Sequence, residues 1–377
     1  MKALFFVYTP FQFLVAQLII KQENLKNSVL IKGYIGNNTH FLEIYNLLHI
    51  DSLWGRTYVM PDLPQWDGLA IRSIKDIKKT YSNFKKLKKI AKSNHIDTLF
   101  LGEEKNQSIR FTAKVFSHLG YKIAFFEEGL AHYINSEQST TETFYLKFKI
   151  LLRDILYYLP IYHIKFAQWR YQPGKLLDDK FPMDARYSIL PVYHGEKERQ
   201  VVVTFDFSDS LRKFMKSYIK IESQYKKVLI LTQPLHEIYQ IENFEKIYLN
   251  IISQALEEIS GDVMVYVKYH PRDTVIQQTQ LNAMLKNKNI KYINLSERIN
   301  IPVEIYLQYI KFDKILFFSS STYAYNGYLF PKQEFSCLLP KLNAECVKAA
   351  GHEFELYKNL MSFFEKISNI SDKEKNV

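Results

Sequence analysis

Three short stretches of this chain place chemically capable residues at the end of an apolar run. In KIAFFEEGLAHY, from Lys122 to Tyr133, the apolar residues Ile123 to Phe126 run directly into Glu127, Glu128 and Gly129. Such a run suits a parallel-sheet strand buried on both faces, and open α/β sheets hold their ligands at strand carboxyl ends. A carboxylate there, partly buried and so raised in pKa, is a candidate general base. Side chains alternate along a strand, so the two glutamates cannot serve one substrate together unless the strand has already ended. One acts and the other supports it. An acidic turn opening the next helix stands beside this reading.

In the second stretch, VMVYV (Val263 to Val267) leads into Lys268, Tyr269, His270, Pro271 and Arg272. Proline fixes the local backbone and holds the imidazole on a rigid turn. There it can protonate or hydrogen-bond a phosphate leaving group, with Arg272 adding positive charge. A turn histidine bonded to a backbone carbonyl is the competing reading. In the third, KILFF (Lys314 to Phe318) meets Ser319, Ser320 and Ser321, whose hydroxyls suit an anion site or plain helix capping.

An alternation of strands and helices positions these stretches. Thr9, Pro10, Gln12 and Gln17 split the opening MKALFFVYTPFQFLVAQLII into a strand (Ala3 to Tyr8) and a helix capped by Thr9, rather than a signal peptide or a bilayer span. Ser28 to Tyr34 and Asp97 to Leu101 read as strands, His40 to Leu48 and Gln107 to Leu119 as helices. Ile74, Ile77, Tyr81, Phe84, Leu87 and Ile90 recur at helical spacing, with Lys75, Lys78, Lys79, Lys85, Lys86, Lys88, Lys89 and Lys92 on the remaining surface. That basic face is a solvated surface or a surface for anionic lipid or glycan. The aromatic and basic segment from Phe144 to Tyr171 reads as core helices with a part peripheral to a membrane. The polar interval His194 to Gln200 marks the domain boundary, giving domains 1–195 and 196–377, and Val201 to Phe205 opens the second as a strand. There, Lys227 to Leu231, Val263 to Val267, Tyr292 to Leu295 and Lys314 to Phe318 alternate with helices at Glu242 to Ile259 and Pro302 to Ile310.

Composition narrows the function classes. With 377 residues the chain holds two ordinary cores, and 50 basic against 39 acidic residues leave a net charge of +11. Such an excess favours a polyanionic partner or an anionic membrane surface. Cys337 and Cys346 are the only cysteines, too few for a disulfide framework or a four-ligand zinc site, so a reducing cytoplasm is the expected compartment. No P-loop and no nucleic-acid module is present, and no nucleic-acid partner is expected. A glycoside hydrolase is disfavoured because its carboxylates must flank a bond at about 5–10 Å, whereas adjacent strand residues diverge. A non-catalytic polyanion- or membrane-binding protein remains the competing class, and the ordered set of motifs counts against it.

Glu127-Glu128-Gly129, His270-Pro271 and Ser319-Ser320, in that order, resemble the motifs of the bacterial sialyltransferases. FFEEGLAHY and YVKYHPRD look most like the polysialyltransferases, and VYTPFQFLVAQLII looks like the lipooligosaccharide sialyltransferases. The resemblance spans most of the chain. It implies an α/β fold of the glycosyltransferase-B type, with two Rossmann-like domains facing a central cleft. It further implies CMP-sialic acid as donor, inversion at the anomeric carbon, no required metal, and a glycan acceptor that is anionic (a polysialic acid capsule chain) or galactose-terminated. A glycosyltransferase using another activated sugar is the alternative within the enzymes.

Carried onto this sequence, the acidic pair supplies the general base, Glu128 first, with Glu127 beside it. Glu237 is a second candidate, from the loop Thr232-Gln233-Pro234-Leu235-His236-Glu237. His270 acts on the CMP phosphate, with Pro271, Arg272, Ser319, Ser320 and Ser321 around it and Thr232 and Gln233 at the neighbouring strand end. Glu304 reaches the donor ribose or lies on the surface. Lys75, Lys78, Lys79, Lys85 and Lys86 are expected to hold the acceptor, and peripheral contact with the inner face of a bacterial plasma membrane is a further expectation.

Overall fold

The computed structural model describes residues 1–34, 40–61, 74–102, 107–127, 129, 183–190, 196–202, 209–218, 224–237 and 239–354, with 357–358, 361–362 and 364–365 near the C-terminus. Its contacts divide the chain into two compact units, Met1–Ser208 and Asp209–Val377.

The first unit runs β1 (Ala3–Val7), α1 (Pro10–Gln22), β2 (Ser28–Tyr34), α2 (His40–Leu48), β3 (Trp54–Pro61), α3 (Ile74–Ser93), β4 (Thr98–Gly102), α4 (Gln107–His118), β5 (Lys122–Phe126), β6 (Ala185–Ser188) and β7 (Glu198–Gln200). Its seven strands lie in the order β3-β2-β1-β4-β5-β6-β7, and every pairing is parallel. All residues of β1 and β4 are buried, which is why both read as unbroken apolar runs. Strand order reverses between these two, and open α/β sheets bind ligands in the crevice at such a reversal.

The β1–α1 turn is fixed by a reciprocal cap. Gln12 N donates to Thr9 Oγ1 at 3.1 Å, while Gln12 Oε1 accepts from Tyr8 N at 2.6 Å and Thr9 N at 3.4 Å. A Cβ at Gly102 would fall 2.6 Å from Gln12 Nε2, so a glycine lets the end of β4 pack against this cap. On α3, Phe84, Leu87, Ile90 and Ala91 are buried, while Lys85, Lys86, Lys88, Lys89 and Lys92 are exposed, as the spacing predicts. Lys75, Lys78 and Lys79 belong to the same helix, but their side chains lie outside the described residues.

The second unit runs α5 (Asp209–Tyr218), β8 (Lys226–Leu231), α6 (Phe244–Glu257), β9 (Val263–Lys268), α7 (Val275–Asn287), β10 (Lys291–Asn294), α8 (Val303–Tyr309), β11 (Lys314–Phe317), β12 (Phe335–Cys337) and α9 (Leu339–Ala350). Its five strands lie in the order β10-β9-β8-β11-β12, again all parallel, and the reversal falls between β8 and β11. Two parallel α/β units agree with the Rossmann-like pair that the motif resemblance implies.

The division of the chain differs from the 195/196 boundary read from sequence. Glu198–Gln200 is not a linker but the edge strand β7, paired with Arg186, Tyr187 and Ser188 of β6, so it belongs to the first sheet. Val201 and Val202 carry no regular structure, and 203–205 lie outside the described residues, as does the aromatic and basic segment 144–171. Among the described residues, no helix is long and apolar enough to cross a membrane.

Candidate active site

In the second sheet β9, β8 and β11 are consecutive neighbours and parallel, so their carboxyl ends share one edge. That edge gathers Thr232 after β8, His270 after β9 and Ser319 and Ser320 after β11. The His270 turn is tied across two strand ends: its N–H donates to Thr232 Oγ1 at 3.0 Å and to Asp273 Oδ2 at 2.9 Å. Thr232 Oγ1 in turn donates to Asp273 Oδ2, and Asp273 N donates to His270 O at 3.0 Å. Arg272 N donates to His270 Nδ1 at 3.2 Å. With Nδ1 accepting, a neutral imidazole carries its proton on Nε2 and offers it as a donor.

Around β11, Ser320 Oγ accepts from Thr322 N at 3.3 Å, and Thr322 Oγ1 donates to Glu304 Oε1 at 2.9 Å. Glu304 is only 5% exposed, so of its two expected settings the surface one does not hold. Ser319 and Ser321 are half-buried. Glu237 lies in the short 3-10 turn Leu235–Glu237 with its carboxylate 2.7 Å from Arg272 Nη1, and both groups are largely exposed.

In the first unit, β5 delivers Glu127 into the interior. Its N–H donates to Tyr187 O at 3.0 Å, and its Oε2 accepts from Ile189 N at 2.6 Å. The side chain is fully buried. Gly129, three residues past the end of β5, has φ +144°, a conformation that L side chains rarely adopt. Glu128 lies outside the described residues.

A model of the alpha-2,8-polysialyltransferase family matches residues 3–339 of this sequence. The chain belongs to that family. A search of curated proteins finds no match. Among solved structures, UDP-GlcNAc 2-epimerase from Methanocaldococcus jannaschii is 15% identical with a TM-score of 0.48, over 94% of this chain and 93% of that one. The UDP-GlcNAc 2-epimerase from Neisseria meningitidis is 13% identical with a TM-score of 0.47, over 97% and 91%. The MurG of Acinetobacter baumannii is 9% identical with a TM-score of 0.39, over 98% and 92%.

Membership of the alpha-2,8-polysialyltransferase family makes the protein a sialyltransferase-type glycosyltransferase, with a nucleotide-sugar donor and a glycan acceptor. The electrostatics of this polysialyltransferase-family site follow from burial. Burial takes His270 down to about 4, with Arg272 and Lys268 pushing the same way and Glu237 opposing them. Burial raises Asp273, against the hydrogen bonds from Thr232 and the His270 N–H. Glu304 is raised by burial too, opposed by its own N–H, Thr322 and Lys268. Among the described residues, no group of three His, Cys, Asp or Glu side chains is placed to hold a metal ion.

Sequence reasoning gave Asp273 and Lys268 no role. Asp273 stands three residues after His270, the spacing at which a short acidic side chain bonds back to its own turn. Lys268 had a signal as well: a charge closing an otherwise apolar strand, VMVYVK.

The Glu127 carboxylate caps the backbone N–H of Ile189, just after β6. Glu127→Ala is expected to lower unfolding stability by about 1–3 kcal/mol, the cost of leaving a buried N–H unpaired. Urea denaturation followed by circular dichroism measures this, and an unchanged midpoint would contradict the assignment.

Proposed function

We propose that this protein is an inverting sialyltransferase that moves sialic acid from CMP-sialic acid to the end of an already sialylated glycan. The observation that carries this reading is His270, held by Thr232 and Asp273 at the end of β9, one strand from the reversal between β8 and β11, with Nε2–H left to donate. In the proposed reaction Glu128 takes the proton of the acceptor hydroxyl, whose oxygen attacks the anomeric carbon from the face opposite CMP. The bond from that carbon to the phosphate oxygen breaks, and CMP leaves with the electron pair. The Nε2–H of His270 and the hydroxyls of Ser319 and Ser320 hydrogen-bond the departing phosphate, where negative charge grows. Glu304, close to these serines through Thr322, is assigned to the donor ribose. Pro271, Gln233 and Ser321 shape the same edge, and no metal is assigned a role.

The test is CMP release from CMP-sialic acid, with and without EDTA, over a panel of sialylated and galactose-terminated acceptors. Release with sialylated chains and inverted product by NMR supports the reading. Release only with galactose-terminated acceptors moves the assignment to the lipooligosaccharide type, and no release with CMP-sialic acid overturns it.

The net charge of +11 and the exposed lysines of α3 support an anionic acceptor. Attraction of that kind is screened over about 8–10 Å at moderate salt, so KM for long sialylated acceptors is expected to rise steeply with salt while CMP affinity changes less. Charge reversal at Lys85, Lys86, Lys88 and Lys89 should raise the same KM at least about tenfold, a loss of about 1.4 kcal/mol. If instead the variant loses only its attachment to anionic vesicles, the basic face serves peripheral membrane contact and the acceptor inference fails.

A further inference from the structure

Lys268 closes β9 and is only 9% exposed. Among the described residues its ammonium has one hydrogen bond, a long one of 3.5 Å to Ser296 Oγ. That hydroxyl is already engaged by the N–H and carbonyl of Tyr269, at 3.1 and 3.3 Å. Glu304 and Asp273 act on the lysine charge from nearby, yet among the described residues no carboxylate forms an ion pair with it. Glu304 Oε1 is taken by Thr322 Oγ1, and Asp273 Oδ2 by Thr232 and the His270 N–H. An ammonium has three donors, and a buried cation with donors unfilled is costly unless an anion completes its shell.

The neighbouring groups leave this task to Lys268. Burial holds His270 neutral at working pH, so it offers a hydrogen bond without a charge. Arg272 is 64% exposed and bound to Glu237. Lys268, lowered by burial to about 8, keeps its proton at neutral pH, and it lies near enough to His270 to repel the imidazolium form.

We propose that Lys268 supplies the buried positive charge that holds the phosphate of the nucleotide donor. The proposal rests on the reading of the second unit as the donor unit and names its cation: His270 directs a hydrogen bond, and Lys268 neutralises.

The test measures binding of CMP and of cytidine to the full chain by ligand-observed NMR, together with the titration of His270 by protein NMR. Lys268→Met is expected to weaken CMP at least about tenfold, about 1.4 kcal/mol, with cytidine unchanged. It should also move the His270 midpoint upward from about 4, because a repelling cation is gone. The Lys268→Met/Glu304→Gln double variant removes both buried charges, and it takes the place of the single variant should that fail to fold, with CMP again weakened more than cytidine. Equal loss of CMP and cytidine, or unchanged CMP affinity, overturns the proposal. So does a rise in KM for CMP-sialic acid with CMP affinity intact, which would give the lysine to the sialic acid carboxylate. A wild-type protein that binds no CMP overturns the donor reading itself.

Discussion

Glu128→Gln is expected to lower kcat by about 100- to 10,000-fold, the range that a positioned general base contributes, while CMP affinity stays within about twofold. In the proposed reaction the base acts on the acceptor hydroxyl rather than on the donor, so its loss is expected in turnover. Two observations bear on its rivals, Glu127 and Glu237. The Glu127 carboxylate is buried and caps Ile189 N at 2.6 Å, so Glu127→Gln should act mainly through stability. Glu237 is an exposed partner of Arg272, and exposed ion pairs contribute at most about 1 kcal/mol. Single-turnover kinetics on the three Gln variants decide the matter. A Glu128→Gln protein with wild-type turnover, beside a Glu237→Gln protein without it, would move the base to the loop after β8.

His270→Ala is expected to lower kcat by about 100- to 1,000-fold, the usual cost of removing one preorganised donor from a developing oxyanion. The pH behaviour tests the same group independently. Because the folded protein holds its pKa at about 4, His270 is neutral throughout the neutral range and gains a proton only as the pH falls toward that value. The profile of kcat/KM, which reports the free enzyme, should therefore show no histidine limb near the ordinary value of 6.5. In the free protein its NMR titration should centre near 4. A midpoint at the ordinary value would mean that the imidazole is solvated and that the turn does not bury it.

The sequence by itself determined where strands end in charge. Ile123 to Phe126, Val263 to Val267 and Ile315 to Phe318 are unbroken apolar runs, and such runs are legible because a strand covered on both faces has no polar positions to blur it. The Thr9 cap with Pro10 was legible for a local reason as well, since every partner in it lies within a few residues. Four strands at or near a sheet edge were not, although the edge strand β10 was. β3, β6, β7 and β12 mix polar and apolar residues, and their pairing with distant segments defines them. α7 escaped notice because Leu281 and Leu285 are its only buried residues, while Val275 and Ile276 face solvent. At the site, residue types and order sufficed to nominate His270, Ser320 and the acidic pair. Only tertiary structure gave their surroundings, because those are set by neighbours brought from elsewhere in the chain. Ile189 occupies Glu127, Thr232 and Asp273 fix the turn of His270, and the strand order β9-β8-β11 carries Lys268 and Glu304 to the edge where their charges act on each other. Burial and proximity set those charges, and neither quantity is a property of one position in a sequence.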